Sequence, residues 1–262
     1  MRTGIAVAAW LIAIPMTATT QEPLKVDTLR FSEPATITEI DIDKLKGQPA
    51  RLAWSPDGSQ LYLQMLDGNF GQAGAASRHY AFNAGNGRKQ DLPAEPDWAS
   101  TYWTSKSGQV SPDGPAMKID LKSEARAENT VSTPMGGDLA RGGSSAASGA
   151  AANDGVAAAY NRQTMPVHSM FLNGELVGEF VNSVIVPGLT FGWGPPGTKV
   201  IAYSANKSGR VVVMDDQGTK REIGRTKDAI LPAWSPDGTR LAWLRKDGRK
   251  KFVLQVARVS TS

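Results

Sequence analysis

Few side chains in this 262-residue chain have the types and spacing that catalysis requires. It contains two histidines, His79 and His168, and no cysteine. The lack of cysteine excludes thiol nucleophiles, thiolate metal sites and disulfides. No serine lies in a Gly-x-Ser-x-Gly sequence, the turn that presents the nucleophile of many serine hydrolases. The sequence therefore predicts no catalytic residue, no metal site and no cofactor.

The carboxylates fall where turns are expected. Asp41, Asp43, Asp215 and Asp216 follow or end β-rich runs, where aspartate usually forms turns or is solvated. No segment has the spacing of a calcium loop or a two-histidine zinc site. The two histidines occupy matching places in an internal repeat, which favours a structural role for both.

That repeat is the main organising feature of the chain. Trp-Ser-Pro-Asp-Gly occurs at 54–58 and 234–238, the related Trp-Gly-Pro-Pro-Gly aligns with it at 193–197, and weaker copies end at Gly114 and Gly155. The residues assigned to the repeat turns are Trp54, Asp57, Gly58, Asp113, Gly114, Asp154, Gly155, Trp193, Gly197, Trp234, Asp237 and Gly238.

The repeat glycines are separated by 56, 41, 42 and 41 residues, and a period of about 40–45 is typical of propeller blades. Serine, proline, aspartate and glycine in this order favour a tight hairpin turn. In the fourth copy the runs 199–203, 210–214 and 220–223 predict three strands after the strand that ends at Trp193.

The sequence thus predicts an all-β fold, a β-propeller of about five four-stranded blades. A degenerate sixth blade is the alternative, and Tyr102–Gly108 is a rival anchor for the second blade. In the third copy, 168–172 and 175–180 are predicted to form a hairpin. The last copy has room for only two more strands, 240–245 and 252–259, so Ala35–Ile42 is predicted to pair with it and close the ring.

The repeat resembles the WD40-like repeat of the TolB type, which occurs in periplasmic propellers and in non-catalytic propeller domains of secreted peptidases. The resemblance covers about residues 29–262. It implies a propeller that binds other proteins at the cell envelope.

The N-terminus has the pattern of a secretory leader. Arg2 precedes an apolar run from Ile5 to Met16, and small residues then lead to Gln21. We expect a signal peptide over 1–20 and one TolB-like propeller domain over 21–262, periplasmic or secreted. The apolar run is shorter than the roughly 20 residues of a membrane span, although an uncleaved signal-anchor is an alternative.

The net charge of +4 is mildly basic. The densest basic run, 245–251, is predicted to be a solvated hairpin turn, so we expect no nucleic-acid partner. We expect a monomer with a protein partner and, once the leader is removed, no stable membrane span.

Irregular segments are predicted on the face opposite the repeat turns: Leu66–Ser77, Asp97–Lys106, Ser123–Asn129 and 245–251. Variable loops on a regular scaffold often bind partners, so the candidate binding residues are Trp98, Tyr102, Trp103 and Phe70. The alternative is that these rings fill a gap between blades.

The leading functional hypothesis is an exported scaffold that binds a protein at the cell envelope. The alternative is a propeller enzyme, or a hydrolase-associated propeller, acting on a peptide or polysaccharide. A third hypothesis, a small-ligand or metal sensor, would need polar residues at the channel, for which Arg51 and Thr190 are candidates.

Overall fold

A computed structural model describes residues 23–67, 76–106, 108, 110–134, 160–181, 191–205 and 209–262. In chain order its elements are β1 (Leu29–Phe31), β2 (Ala35–Asp41), α1 (Ile42–Leu45), β3 (Gln48–Trp54), β4 (Gln60–Asp67), β5 (Ala76–Asn83), β6 (Lys89–Leu92), α2 (Asp97–Lys106), β7 (Val110–Ser111), β8 (Gly114–Pro134), β9 (Tyr160–Leu172), β10 (Glu175–Val181), β11 (Phe191–Trp193), β12 (Val200–Ser204), β13 (Val211–Asp215), β14 (Lys220–Glu222), β15 (Ala229–Trp234), β16 (Arg240–Lys246) and β17 (Lys251–Thr261).

The strands form antiparallel sheets of the size expected for propeller blades. The first sheet is β3-β4-β5-β6, the second is β7-β8-β9-β10 and the third is β11-β12-β13-β14. The fourth sheet contains β15-β16-β17, and both β1 and β2 pair with β17. The predicted all-β class and the four-stranded unit are therefore confirmed.

Within the described ranges there are four sheets, whereas the sequence predicted about five blades. The difference lies in the second and third repeat copies. The strand that contains 168–172, predicted to belong to a third blade, pairs with β8 in the second sheet, where Leu172 lies opposite Ile119. The third copy lacks the tryptophan and proline that fix the turn elsewhere, so no anchor separates it from its neighbour. Its Asp154 and Gly155 lie outside the described residues.

The first two described strands and the last one meet in the fourth sheet. β2 is antiparallel to β17, with Ile40 opposite Phe252, as predicted for Ala35–Ile42. β1 adds to the far end of the same strand, where Leu29 lies opposite Thr261. The predicted strands 240–245 and 252–259 lie within β16 and β17. The N-terminal strand thus completes a sheet that the C-terminal repeat alone leaves one strand short.

The repeat turns use the hydrogen bonds that their composition predicts. In the first copy the Ser55 hydroxyl donates to Asp57 Oδ1 at 2.6 Å, and Gly58 N donates to Ser55 O at 2.8 Å. Gly58 has a φ of 66°, a conformation that glycine adopts without steric cost. The copy at 235–238 has the same bonds, so the motif is a conserved folding unit within this chain.

The third sheet's turn is completed by a residue from the second repeat copy. Gly194 and Pro196 stand where other copies have serine and aspartate. The Asp113 carboxylate instead accepts from Gly197 N and, at 2.8 Å, from Lys199 N. Asp113 was predicted to form its own repeat turn, and the structure shows that its carboxylate joins two neighbouring sheets.

The core lies between successive sheets. Leu61 packs in one cluster with Leu254 of the fourth sheet, Val213 of the third sheet packs with Trp243 of the fourth, and the second and third sheets share a further cluster. The sheets therefore pack in the order first, fourth, third, second. The side chains of Trp54, Trp193 and Trp234 are fully buried, as a structural role predicts.

The segment 97–106 is a helix that runs to the side of the repeat turns, whereas the sequence predicted an irregular segment on the opposite face. Asp97 in its first turn and Lys106 in its last suit the helix dipole. Tyr102 Oη donates to Trp234 O at 2.6 Å, and Lys106 Nζ donates to Gly194 O at 2.5 Å. α2 therefore joins the first sheet to the turns of the third and fourth sheets.

Candidate functional site

The first sheet has one face that is more polar than the other. Trp54 Nε1 of β3 donates to Ala233 O of the fourth sheet, so Arg51, three positions earlier in the strand, lies on the other face. Arg51 is directly opposite Gln64, which is directly opposite His79. We call this row of three side chains the polar row.

α2 packs over the same face. Trp98 and Ala99 contact the cluster that includes Tyr62, and the Trp98 ring meets the Tyr62 ring edge-on at 6.1 Å. The helix thus covers part of the first sheet, where Gln64 is buried while Arg51 and His79 stay partly exposed.

Arg51 is held from two directions. Its Nη1 lies 3.3 Å from Glu95 Oε2, and both side chains are about a quarter exposed, at 24% and 22%. Its guanidinium carbon lies 4.8 Å from the centre of the Trp103 ring. An ion pair on one edge and an aromatic face below fix the guanidinium plane.

A hydrogen bond of 2.7 Å joins Tyr62 Oη and His79 Nδ1. The two rings are stacked, with an interplanar angle of 15° and centres 6.0 Å apart. Burial, and then the negative charge of Glu95, raise the pKa of Tyr62, while Arg51 opposes them. The phenol therefore stays protonated and donates to His79 when Nδ1 carries no proton.

Two buried polar atoms of the polar row lack hydrogen-bond partners in the described part of the chain: Arg51 Nε and Gln64 Oε1. The amide nitrogen of Gln64 is directed to Ser77 Oγ at 3.3 Å. A buried donor or acceptor without a partner costs about 1–3 kcal/mol.

The four residues selected from the sequence have different environments. Trp98 is half-buried, Tyr102 is buried, and Trp103 is half-buried with its ring under Arg51. Phe70 lies outside the described residues. Tyr102 contributes to packing within the molecule, which leaves Trp98 and Trp103 beside the polar row. Their role in binding stays a prediction.

Sequence analysis missed most of this site. Arg51 was considered only as a channel residue, Thr190 lies outside the described ranges, and Glu95, Tyr62 and Gln64 were not selected. His79 was assigned a structural role. The available signal was Gln64, a polar residue within the apolar run 61–66 of β4, because an uncharged polar side chain inside a buried strand needs a partner.

In the described ranges no cluster of three or more histidine, cysteine, aspartate or glutamate side chains could hold a metal ion. Over the same ranges no helix has the length and apolar character needed to cross a membrane.

No family model matches the chain, and no curated protein matches it. Among solved structures it is similar to a functionally unknown protein from Desulfotomaculum acetoxidans DSM 771, at a TM-score of 0.22 and 12% identity over 76% of this chain and 49% of that one. It is also similar to an oligogalacturonate lyase in complex with manganese, at a TM-score of 0.24 and 9% identity over 80% of this chain and 64% of that one. The chain therefore spans about half to just under two thirds of these structures. Neither similarity assigns a family or a function.

Proposed function

We propose that this chain is an exported β-propeller scaffold of the TolB type that binds a protein partner at the cell envelope. The Trp-Ser-Pro-Asp-Gly repeat at 41- and 42-residue intervals and the four-stranded sheets support the propeller assignment. The pairing of β2 with β17 supports ring closure by the N-terminal strand. The leader pattern of residues 1–20, which lie outside the described ranges, supports export.

The observation that carries the binding proposal is the partly exposed pair of Arg51 and Trp103. The guanidinium carbon lies 4.8 Å from the centre of the Trp103 ring, so the pair offers a partner both a hydrogen-bonding fork and an aromatic surface.

The neighbouring aromatic rings support the same function. Tryptophan, tyrosine and arginine dominate the binding energy of protein interfaces, and Trp103 with Arg51 forms such a pair. Both side chains of the pair are partly exposed, so aromatic contact and hydrogen bonding serve one bound segment.

The proposal is tested by capturing envelope proteins with immobilised mature chain, residues 21–262, and with four variants. We expect Trp103→Ala and Arg51→Gln to reduce recovery of the captured partner by about tenfold, the equivalent of 1.4 kcal/mol. Leu176→Ala is the matched control, because Leu176 is a half-exposed apolar residue (50%) on the second sheet.

Tyr102→Phe separates packing from binding, because the Tyr102 hydroxyl bonds to Trp234 O within the molecule. We expect it to lower stability and leave capture unchanged. Equal capture by the wild type, Trp103→Ala and Arg51→Gln would overturn the site assignment. If no protein were retained by the folded wild type, the binding function itself would be wrong.

A further inference from the structure

A groove opens between the first and fourth sheets on the side of the repeat turns. Its volume is about 730 Å³, within the range of roughly 300–1,000 Å³ common for small-molecule sites. Turn residues of the first sheet form one wall, and the β1–β2 connection with the ends of β16 and β17 forms the other. The polar row is on the opposite face of the first sheet, so this groove is a separate feature.

Two arginines line the groove side by side. Arg240 of β16 and Arg258 of β17 are directly opposite in the antiparallel pair. Opposite residues in such a pair project from the same face with their Cβ atoms roughly 5 Å apart, and like charges in these positions are destabilising. The register therefore places two arginine side chains on one face of the sheet, and both line the groove.

Arg240 is ordered before any ligand binds. Its guanidinium carbon lies 4.5 Å from the centre of the buried Trp54 ring. A side chain at position 58 would collide with Nη2 of Arg240, so Gly58 allows the guanidinium to lie against the repeat turn. The negative charge of Asp237 interacts with Arg240 and offsets part of the positive charge of the guanidinium group.

Arg258 has no such compensation. Its side chain is exposed and forms no ion pair with any carboxylate in the described ranges. Glu33, the acidic residue of the groove wall, pairs with Arg225 at 2.8 Å. The groove thus keeps an excess of positive charge at its arginine pair.

We propose that this groove binds a small organic anion carrying two negative charges, as a phosphate monoester or as paired carboxylates. Guanidinium groups bind both kinds of oxyanion through parallel N–H···O bonds. Ile37, Ala84 and Val256 supply apolar wall area, while Ser59 and Asn83 supply polar groups. An anion attached to a small organic body fits this lining better than an inorganic ion alone.

The test is titration calorimetry of the mature chain, residues 21–262, in a chloride buffer free of phosphate. The titrants are glycerol 3-phosphate, malate, inorganic phosphate and, as the uncharged control, glycerol. We expect glycerol 3-phosphate or malate to bind and glycerol not to bind. Binding of the phosphates alone identifies phosphate as the recognised group, and binding of malate alone identifies carboxylate.

The variants separate this site from general charge attraction. We expect Arg258→Gln to weaken binding by about tenfold or more, because one charge-assisted hydrogen-bonding group is lost. Arg249→Gln removes the same charge from an exposed position in the β16–β17 turn, and we expect a change below about twofold. Arg258→Lys keeps the charge without the planar fork and is expected to be intermediate.

Unfolding temperatures of all variants establish that each one is folded, and Arg258→Lys serves as the test if Arg258→Gln does not fold. Equal weakening by Arg258→Gln and Arg249→Gln would show that the anion responds only to net charge and would overturn the site. Absence of binding by both organic anions to the wild type would also overturn it.

Discussion

At the scale of single residues, Lys106 shows how a charged group is accommodated in the interior. Its side chain is buried, and Nζ donates to Gly194 O at 2.5 Å. Burial lowers the pKa of Lys106 to about 8, while the negative charge of Asp113 opposes this shift. The residue links α2 to the third sheet, and its protonation is tied to folding.

We predict that the free energy of unfolding rises with pH because of Lys106. The pKa is lower in the folded state than its ordinary 10.5, so the unfolded chain binds more protons between these two values. The contribution of Lys106 should rise by about 2 kcal/mol between about pH 7 and pH 9.5. Denaturant unfolding at several pH values measures it.

The comparison variant is Lys106→Met, which has a similar shape and no charge, and its stability should lack this rise. Lys118→Met removes an exposed lysine and should keep the wild-type slope. Measurements stay below pH 10 to avoid an opposite effect from Tyr203. Burial raises the pKa of Tyr203 to about 12, so above pH 10 the unfolded chain loses this proton first and the free energy of unfolding falls. Parallel slopes for the wild type and Lys106→Met would contradict the prediction.

At the scale of elements, the sheets are connected by side chains from neighbouring repeat copies. Trp54 Nε1 donates to Ala233 O of the fourth sheet at 2.9 Å, and Trp193 Nε1 donates to Gly108 O at 2.6 Å. Asp113 performs a similar function for the third sheet's turn. The repeat residues therefore stabilise both their own turns and the contacts between sheets.

We predict that Asp113→Ala lowers the free energy of unfolding by about 1–2 kcal/mol, because the N–H groups of Gly197 and Lys199 lose their acceptor. Thermal and denaturant unfolding give the value. Asp120→Ala is the control, since Asp120 has only an exposed ion pair with Lys118 at 3.4 Å, for which the expected effect is below about 0.5 kcal/mol. An Asp113→Ala variant as stable as Asp120→Ala would show that the bridge between sheets contributes nothing.

At the scale of the whole molecule, the association of the two chain ends is the decisive long-range contact. β2 covers an edge of β17 that would otherwise expose unpaired backbone groups. Ile40, fully buried, joins the cluster between the first and fourth sheets. The N-terminal strand therefore contributes both hydrogen bonds and core.

We predict that a chain lacking residues 1–41 unfolds more readily and self-associates. The lost burial of Ile40 alone should cost about 2–5 kcal/mol, and the uncovered edge of β17 favours pairing with another molecule. Thermal unfolding and sedimentation velocity measure the two effects. A chain lacking only residues 1–20 is the control, and a synthetic peptide of residues 28–42 should restore stability. A truncated chain that stayed monomeric with an unchanged unfolding midpoint would contradict this role.

Local chemistry made much of this fold predictable. The order serine, proline, aspartate, glycine fixes a turn within five residues, so the turns at 55–58 and 235–238 follow from sequence alone. Periodic apolar residues likewise predicted the strands of the third and fourth sheets and the pairing of β2 with the last repeat. The turns and strands depend on nearby residues. The pairing of β2 follows from the last repeat copy, which is one strand short of a four-stranded sheet.

The tertiary structure decided the features that depend on distant neighbours. The second and third repeat copies share one sheet because β9 pairs with β8. No local sequence pattern specifies which strand a given strand pairs with. α2 packs over the polar row, which brings Glu95 and Trp103 to Arg51. Arg240 and Arg258 likewise become neighbours only through the register of β16 and β17. The sequence by itself determined turns, strands and the repeat, whereas both candidate sites arise from contacts between strands and helices that only folding brings together.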